Sequence, residues 1–145
     1  MPDTSTASTN DTRALLRLNR AFYDAFQAMD EDAMERIWAG RDSDISVHPC
    51  WPTIHTQADA RASWQTAFAC SGFVQVTLSD TTLEITGDTA RLCCTERLHS
   101  LSEHGPQIRT VRSTNIFVRT PSGWRLTLHH GSPAATHPLL VSAVN

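Results

Sequence analysis

Residues 107–130 read QIRTVRSTNIFVRTPSGWRLTLHH, two runs of alternating side chains on either side of Pro121-Ser122-Gly123. β-Branched and aromatic residues at every second position, flanking a Pro/Gly turn, are the pattern of a long antiparallel hairpin. On the second strand, alternation puts Trp124, Leu126, Leu128 and His130 on one face and Arg125, Thr127 and His129 on the other. A symmetric turn at Pro121-Ser122 sets position 115 opposite 128 and position 113 opposite 130. Val111, Ser113, Asn115 and Phe117 are then expected beside Leu128 and His130.

The same period continues upstream. Thr89–Leu101 reads as a strand between the Gly87-Asp88 and Gly105-Pro106 turns, and Val74, Val76 and Leu78 alternate before it. N-terminal to Gly72 the period becomes helical. Leu15, Leu18, Phe22, Phe26 and Met29 form one stripe behind an N-cap at Asp11. Asp30 caps a second helix through Ala33, Met34, Ile37 and Trp38, which stops at Gly40. A short strand, Asp44–His48, is broken by Pro49. Thr56 and Asp59 then form an approximate capping box ahead of Ala60, Trp64, Ala67 and Phe68 in a third helix.

Helices followed by a meander of strands indicate an α+β fold. The expected architecture is three N-terminal helices packed in the concave face of a curved, mostly antiparallel sheet, a cone-like α+β barrel. Residues 1–11 read as a disordered tail, 12–133 as the domain and 134–145 as a C-terminal extension.

At 145 residues the chain has room for one core. With Lys+Arg 12 against Asp+Glu 15, the net charge of -3 and the lack of any basic run argue against nucleic acid as a partner. No stretch approaches the roughly 18 apolar residues of a membrane span, and the first residues lack a secretion signal, so a cytoplasmic protein without membrane contact is expected. Cys50, Cys70, Cys93 and Cys94 are read as reduced thiols, the adjacent pair pointing to opposite faces of one strand. His99, His104, His129 and His137 lack metal-ligand spacing, so no metal is expected.

SVHPCW at 46–51, ASW at 62–64, LCCTERL at 92–98, STNIFVR at 113–119 and GWRLTLHHGSP at 123–133 carry a resemblance beyond element order. The chain resembles the SnoaL-like branch of the nuclear transport factor 2-like superfamily. Its last two segments are similar to the closing strands of the calcium/calmodulin-dependent kinase II association domain. The resemblance implies a pocket between helices and sheet and a homodimer formed through the outer sheet face. It does not fix a reaction, because the superfold hosts isomerases, dehydratases, hydrolases, cyclases and scaffolds. The ketosteroid isomerase pattern would need a tyrosine and two inward acids. Here there is one tyrosine, Tyr23, and no evident inward acid pair.

Polar residues interrupting apolar stripes are the site candidates. Ser113, Asn115 and His130, set among Val, Phe, Leu and Trp, read either as a pocket floor or as a self-satisfied core cluster. Glu96, between Cys94 and Leu98, has two placements. A Ser102–Pro106 loop pairs it with Arg112, whereas a loop one residue shorter or longer turns it to the face of Asn115. Facing inward it would suit acid–base work, together with His130 as the second catalytic candidate. Tyr23, His48, Trp51, Trp64 and Phe68 are candidate ligand walls, each also readable as core or rim.

The expected function is binding of a small, largely hydrophobic molecule, with proton transfer by Glu96 or His130 while Ser113 or Asn115 holds an oxygen. That chemistry needs neither metal nor organic cofactor. The alternative is a non-catalytic homodimeric binding or assembly module. Ile108, Ile116 and Val118 on the outer face, rimmed by Arg112, Arg119 and Arg125, are expected to pack against a second copy.

Overall fold

The computed structural model describes residues 9–47, 62, 64–65, 73–102 and 104–134. His48, Trp51, Phe68, most of the expected third helix and all but the innermost ends of the two expected tails lie outside them. The element order is α1 (Thr9–Ala28), α2 (Glu31–Ile37), β1 (Ile45–Val47), β2 (Val74–Thr86), β3 (Thr89–Ser102), β4 (Gly105–Thr120) and β5 (Gly123–Pro133). Ala62, Trp64 and Gln65 are also helical. The strands form one open sheet in the order β1-β5-β4-β3-β2, with β1 parallel to β5 and every other pair antiparallel. The fold is α+β, with helices packed against the curved sheet, as the sequence pattern indicates.

α1 begins earlier than expected, at Thr9, so Asp11 lies in the first turn rather than at the cap. Its carboxylate is used elsewhere. It accepts from Trp124 Nε1 at 3.0 Å and, in a bidentate pair, from both terminal nitrogens of Arg119 at 3.1 Å. Arg119 also reaches Asp88 and lies 4.4 Å over the Trp124 ring. Met29 at φ 53 ends α1, and Asp30 then caps α2 as expected, accepting from Ala33 N at 3.0 Å.

Two registers decide which side chains face the helices. In the β3–β4 hairpin Ser102 pairs with Gly105, which sets Glu96 opposite Val111 and Thr95 opposite Arg112. Of the two placements for Glu96 the structure has the inward one. The β4–β5 hairpin keeps the expected register only as far as Phe117 and Leu126. The next pair is Ile116 and Leu128, so Thr127 is an extra residue, a bulge. Beyond it every β5 side chain has changed face. His129 and Gly131 are buried opposite Asn115 and Ser113, and His130 is exposed opposite Thr114. The expectation that His130 continues the apolar stripe is therefore corrected, because the pattern contains an inserted residue that strict alternation does not see.

Leu15, Phe22, Leu92, Phe117 and Leu126 are fully or almost fully buried and join α1 to the middle strands, with Met34 and Ile37 of α2 in the same cluster. No helix among the described residues is long and apolar enough to cross a membrane.

Truncating the centre of this core should be far more damaging than breaking an exposed ion pair. Phe117→Ala is expected to lose about 4 kcal/mol in urea unfolding. Arg91→Ala, which removes only the surface pair with Glu84, should lose no more than about 0.5 kcal/mol.

Candidate functional site

The inner face of β3, β4 and β5 carries a buried polar row among aromatic neighbours. Glu96, Ser113, Asn115 and His129 from the sheet and Asn19 from α1 are all at least 95% buried. Tyr23 joins them from α1, where Asn19 and Tyr23 stack on one face by helical spacing.

Asn115 is the hub. Its Nδ2 donates to Asn19 Oδ1 at 2.8 Å and to the Tyr23 hydroxyl at 3.2 Å. Its Oδ1 faces His129 Nδ1 at 2.6 Å. An amide oxygen can only accept, so the proton sits on His129 Nδ1, and in the neutral ring Nε2 is the basic nitrogen. Phe22 lies 4.8 Å and Trp64 6.1 Å from the imidazole, centroid to centroid, and 5.3 Å from each other, so the three rings form one cluster.

Tyr23 links this half of the row to the other. Its oxygen is 3.5 Å from Cys94 Sγ. Burial, then the neighbouring Glu96 and Cys94, raise its pKa well above the usual phenol value, so it stays a neutral hydroxyl. Burial likewise pushes the Cys94 thiol up to about 11, which leaves it unionised at neutral pH.

Glu96 is the one acid in the row. Burial raises its carboxyl above the usual range, and the hydroxyls of Tyr23 and Ser113 only partly offset this by favouring the charged form. Ser113 Oγ is thus close to the Glu96 carboxyl, yet it is buried and makes no hydrogen bond of good geometry to any described residue. A carboxyl pushed toward its neutral form, a neutral phenol and a poorly satisfied hydroxyl thus converge on one small region.

The sequence-derived candidates divide as follows. Glu96, Ser113, Asn115 and Tyr23 come together, and Trp64 packs beside them against Phe22 and His129. His130 does not join. On the outer face its Nε2 lies 3.3 Å from Ser132 Oγ, and with Arg112, Thr114 and Asp80 it lines an open groove of about 550 Å³. The sequence reading missed His129, Asn19 and Cys94. Asn19 had a visible sign, a polar residue within the apolar stripe of α1. His129 had none, since the bulge that turns it inward is invisible to alternation. Among the described residues no three His, Cys, Asp or Glu side chains converge as a metal-ligand set.

The SnoaL-like domain family matches residues 15–136. The chain belongs to that family. Two solved structures support the assignment. A Streptomyces avermitilis protein of the NTF2-like family, provisionally assigned as a dehydratase, is 29% identical, with a TM-score of 0.82 over 88% of this SnoaL-like chain and 98% of its own. A Thiobacillus denitrificans protein, provisionally assigned as a calcium/calmodulin-dependent protein kinase type II association domain, is 28% identical, with a TM-score of 0.73 over 81% and 93%. An NTF2-like superfamily protein of Salmonella enterica serovar Typhimurium shares the fold at 13% identity, with a TM-score of 0.83 over 92% and 97%. No curated protein is significantly similar in sequence.

The raised Glu96 pKa fixes a pH dependence. Above the ordinary value of 4.5 the native state still holds a proton that the unfolded chain has released. The stability contributed by this residue is therefore fully present at lower pH and falls as pH rises through the raised value. Glu96→Gln cannot ionise. Its stability relative to the natural protein should increase with pH in urea melts, from the ordinary value of 4.5 upward until the raised value has been passed.

Proposed function

We propose that this SnoaL-like chain holds a small, largely hydrophobic molecule against the inner sheet face and moves a proton at its polar end with Glu96. The observation that carries this reading is Ser113 Oγ, buried without a well-formed hydrogen bond beside a carboxyl that burial pushes toward its neutral form. An orphaned buried hydroxyl is unfavourable by about 1–3 kcal/mol, and an oxygen of a bound molecule would relieve it. Neutral Glu96 donates a proton or hydrogen bond to that oxygen, and Tyr23 and Ser113 orient it.

His129 serves a different end of the molecule. Its partner on β4 is Asn115 and that of Glu96 is Val111, positions separated by roughly 13 Å of strand. The two groups are thus separate stations along one elongated site rather than a pair acting on a single atom. The dehydratase assignment of the Streptomyces avermitilis protein suits the Glu96 station, because elimination of water needs a group that protonates the departing hydroxyl.

The test begins with native mass spectrometry to detect a co-purifying molecule, followed by turnover and binding of that compound, or of a panel of hydrophobic hydroxy- and oxo-compounds where none is retained. Glu96→Gln is expected to lower turnover about 100-fold while binding persists. Ser113→Ala should weaken binding by roughly tenfold, the equivalent of one hydrogen bond. Unchanged turnover in Glu96→Gln would remove the catalytic assignment and leave a binding module.

A homodimer through the outer face is the second part of the reading. Ile108 and Leu101 are more than half exposed there, with Ile116 and Val118 half-buried beside them, and the similar proteins include kinase association and hub domains. Ile108→Asp is expected to shift the mass measured by light scattering from dimer to monomer. A natural protein that is already monomeric would overturn this assignment.

A further inference from the structure

The bulge that selects His129 over His130 has its own fastening. Thr127, the extra residue, donates its hydroxyl to Asp44 Oδ1 at 2.8 Å. Asp44 is fully buried, and its other oxygen accepts from Gly40 N at 2.9 Å and Arg41 N at 3.1 Å. These contacts bring two irregularities together. On the far side of β5 the chain bridges at Trp38 and Leu126, with Ala39 N donating to Leu126 O at 2.8 Å, and then leaves the strand. It rejoins at Ile45, opposite Leu128. The excursion between those two points faces the position at which β5 carries its surplus residue, and Asp44 ties the excursion to the bulge.

We infer that Asp44 and Thr127 are positioning residues of the inner site, which fix the register of β5 so that His129 rather than His130 meets Asn115. Two registers compete over this stretch. Without the bulge, Asn115 would face Leu128 and Ser113 would face His130, with His129 outside. With it, Asn115 faces His129 and Ser113 faces Gly131. A slip of one residue exchanges every side chain between faces. The bulged register leaves one residue of β5 out of the ladder with β4, and the threonine hydroxyl and the buried carboxylate replace part of what is lost. The carboxylate has three donors, all from within the bulge and the excursion, so it is satisfied only when both are formed. Ser46 follows from the same arrangement. It pairs with His129 along the parallel β1–β5 ladder and is fully buried behind it.

The inference rests on the proposed role of His129 only for its consequence in function, and the experiment separates the two. In the natural protein, ¹⁵N-detected NMR of the histidine side chains should show one imidazole with a slowly exchanging Nδ1 proton, absent in His129→Gln and present in His130→Gln. Thr127→Ser, which keeps the hydroxyl, should retain that signal. Thr127→Val, which keeps the shape without the hydroxyl, should lose it or transfer it to His130 while the dispersed spectrum of a folded protein remains. A purely stabilising role would lower the melting temperature of Thr127→Val with the His129 signal intact, and that result overturns the inference. Should Thr127→Val fail to fold, Thr127→Ala read in the same way decides, since it likewise removes the hydroxyl that donates to Asp44. Loss of the signal with ligand binding unchanged would uphold the register assignment and remove His129 from the proposed function.

Discussion

β4 is paired with β3 from Gly105 to Val118 and with β5 from Val111 to Thr120, and the stretch paired on both sides is the constraint on which the rest of the molecule depends. Once Ser102 meets Gly105 and Thr120 meets Gly123, the face of each neighbouring side chain is set by counting from β4. Ser113, Asn115 and Phe117 point toward the helices because Val111 does, and Glu96 joins them because the β3–β4 turn is tight. The helices then receive a surface that is apolar at its ends and polar in its middle. α1 answers it with Leu15 and Phe22 beside Asn19 and Tyr23.

A polar row inside a core of this size is unfavourable unless its members satisfy one another. Asn115 achieves this for most of the row, spending its amide on Asn19, Tyr23 and His129. Among the described residues the balance is incomplete at the Glu96 end, where burial pushes the carboxyl toward its neutral form and Ser113 makes no well-formed hydrogen bond.

Much of this was legible in the sequence. The hairpin pattern of residues 107–130 gave strands close to those observed, the change of period near Gly72 gave the class, and Asp30 announced its helix through capping chemistry. Glu96 was only half legible, because its face depends on whether a turn holds an odd or even number of residues, and Gly105-Pro106 is compatible with both. His129 was not legible. The residue that stabilises the bulge, Asp44, lies far from Thr127 along the chain, and no local pattern around TLHH signals its presence. Asp11 was only partly legible for a related reason, since Trp124 and Arg119, which donate to its carboxylate, reach it from across the fold.

The two borders of the sheet differ from its centre in a way that bears on how the protein behaves at high concentration. An uncovered strand edge offers unpaired amides and carbonyls to any other strand it meets, which is a route to aggregation. On one border lies β1, of which Ile45–Val47 is described. On the other, β2 is long, but its pairing with β3 breaks between Ser79 and Thr82, where Asp80 adopts φ 51. A backbone turned out of plane beside a carboxylate is a poor landing strip for a foreign strand. The irregularity in β2 therefore reads as protection of that edge, independent of the polar row on the inner face.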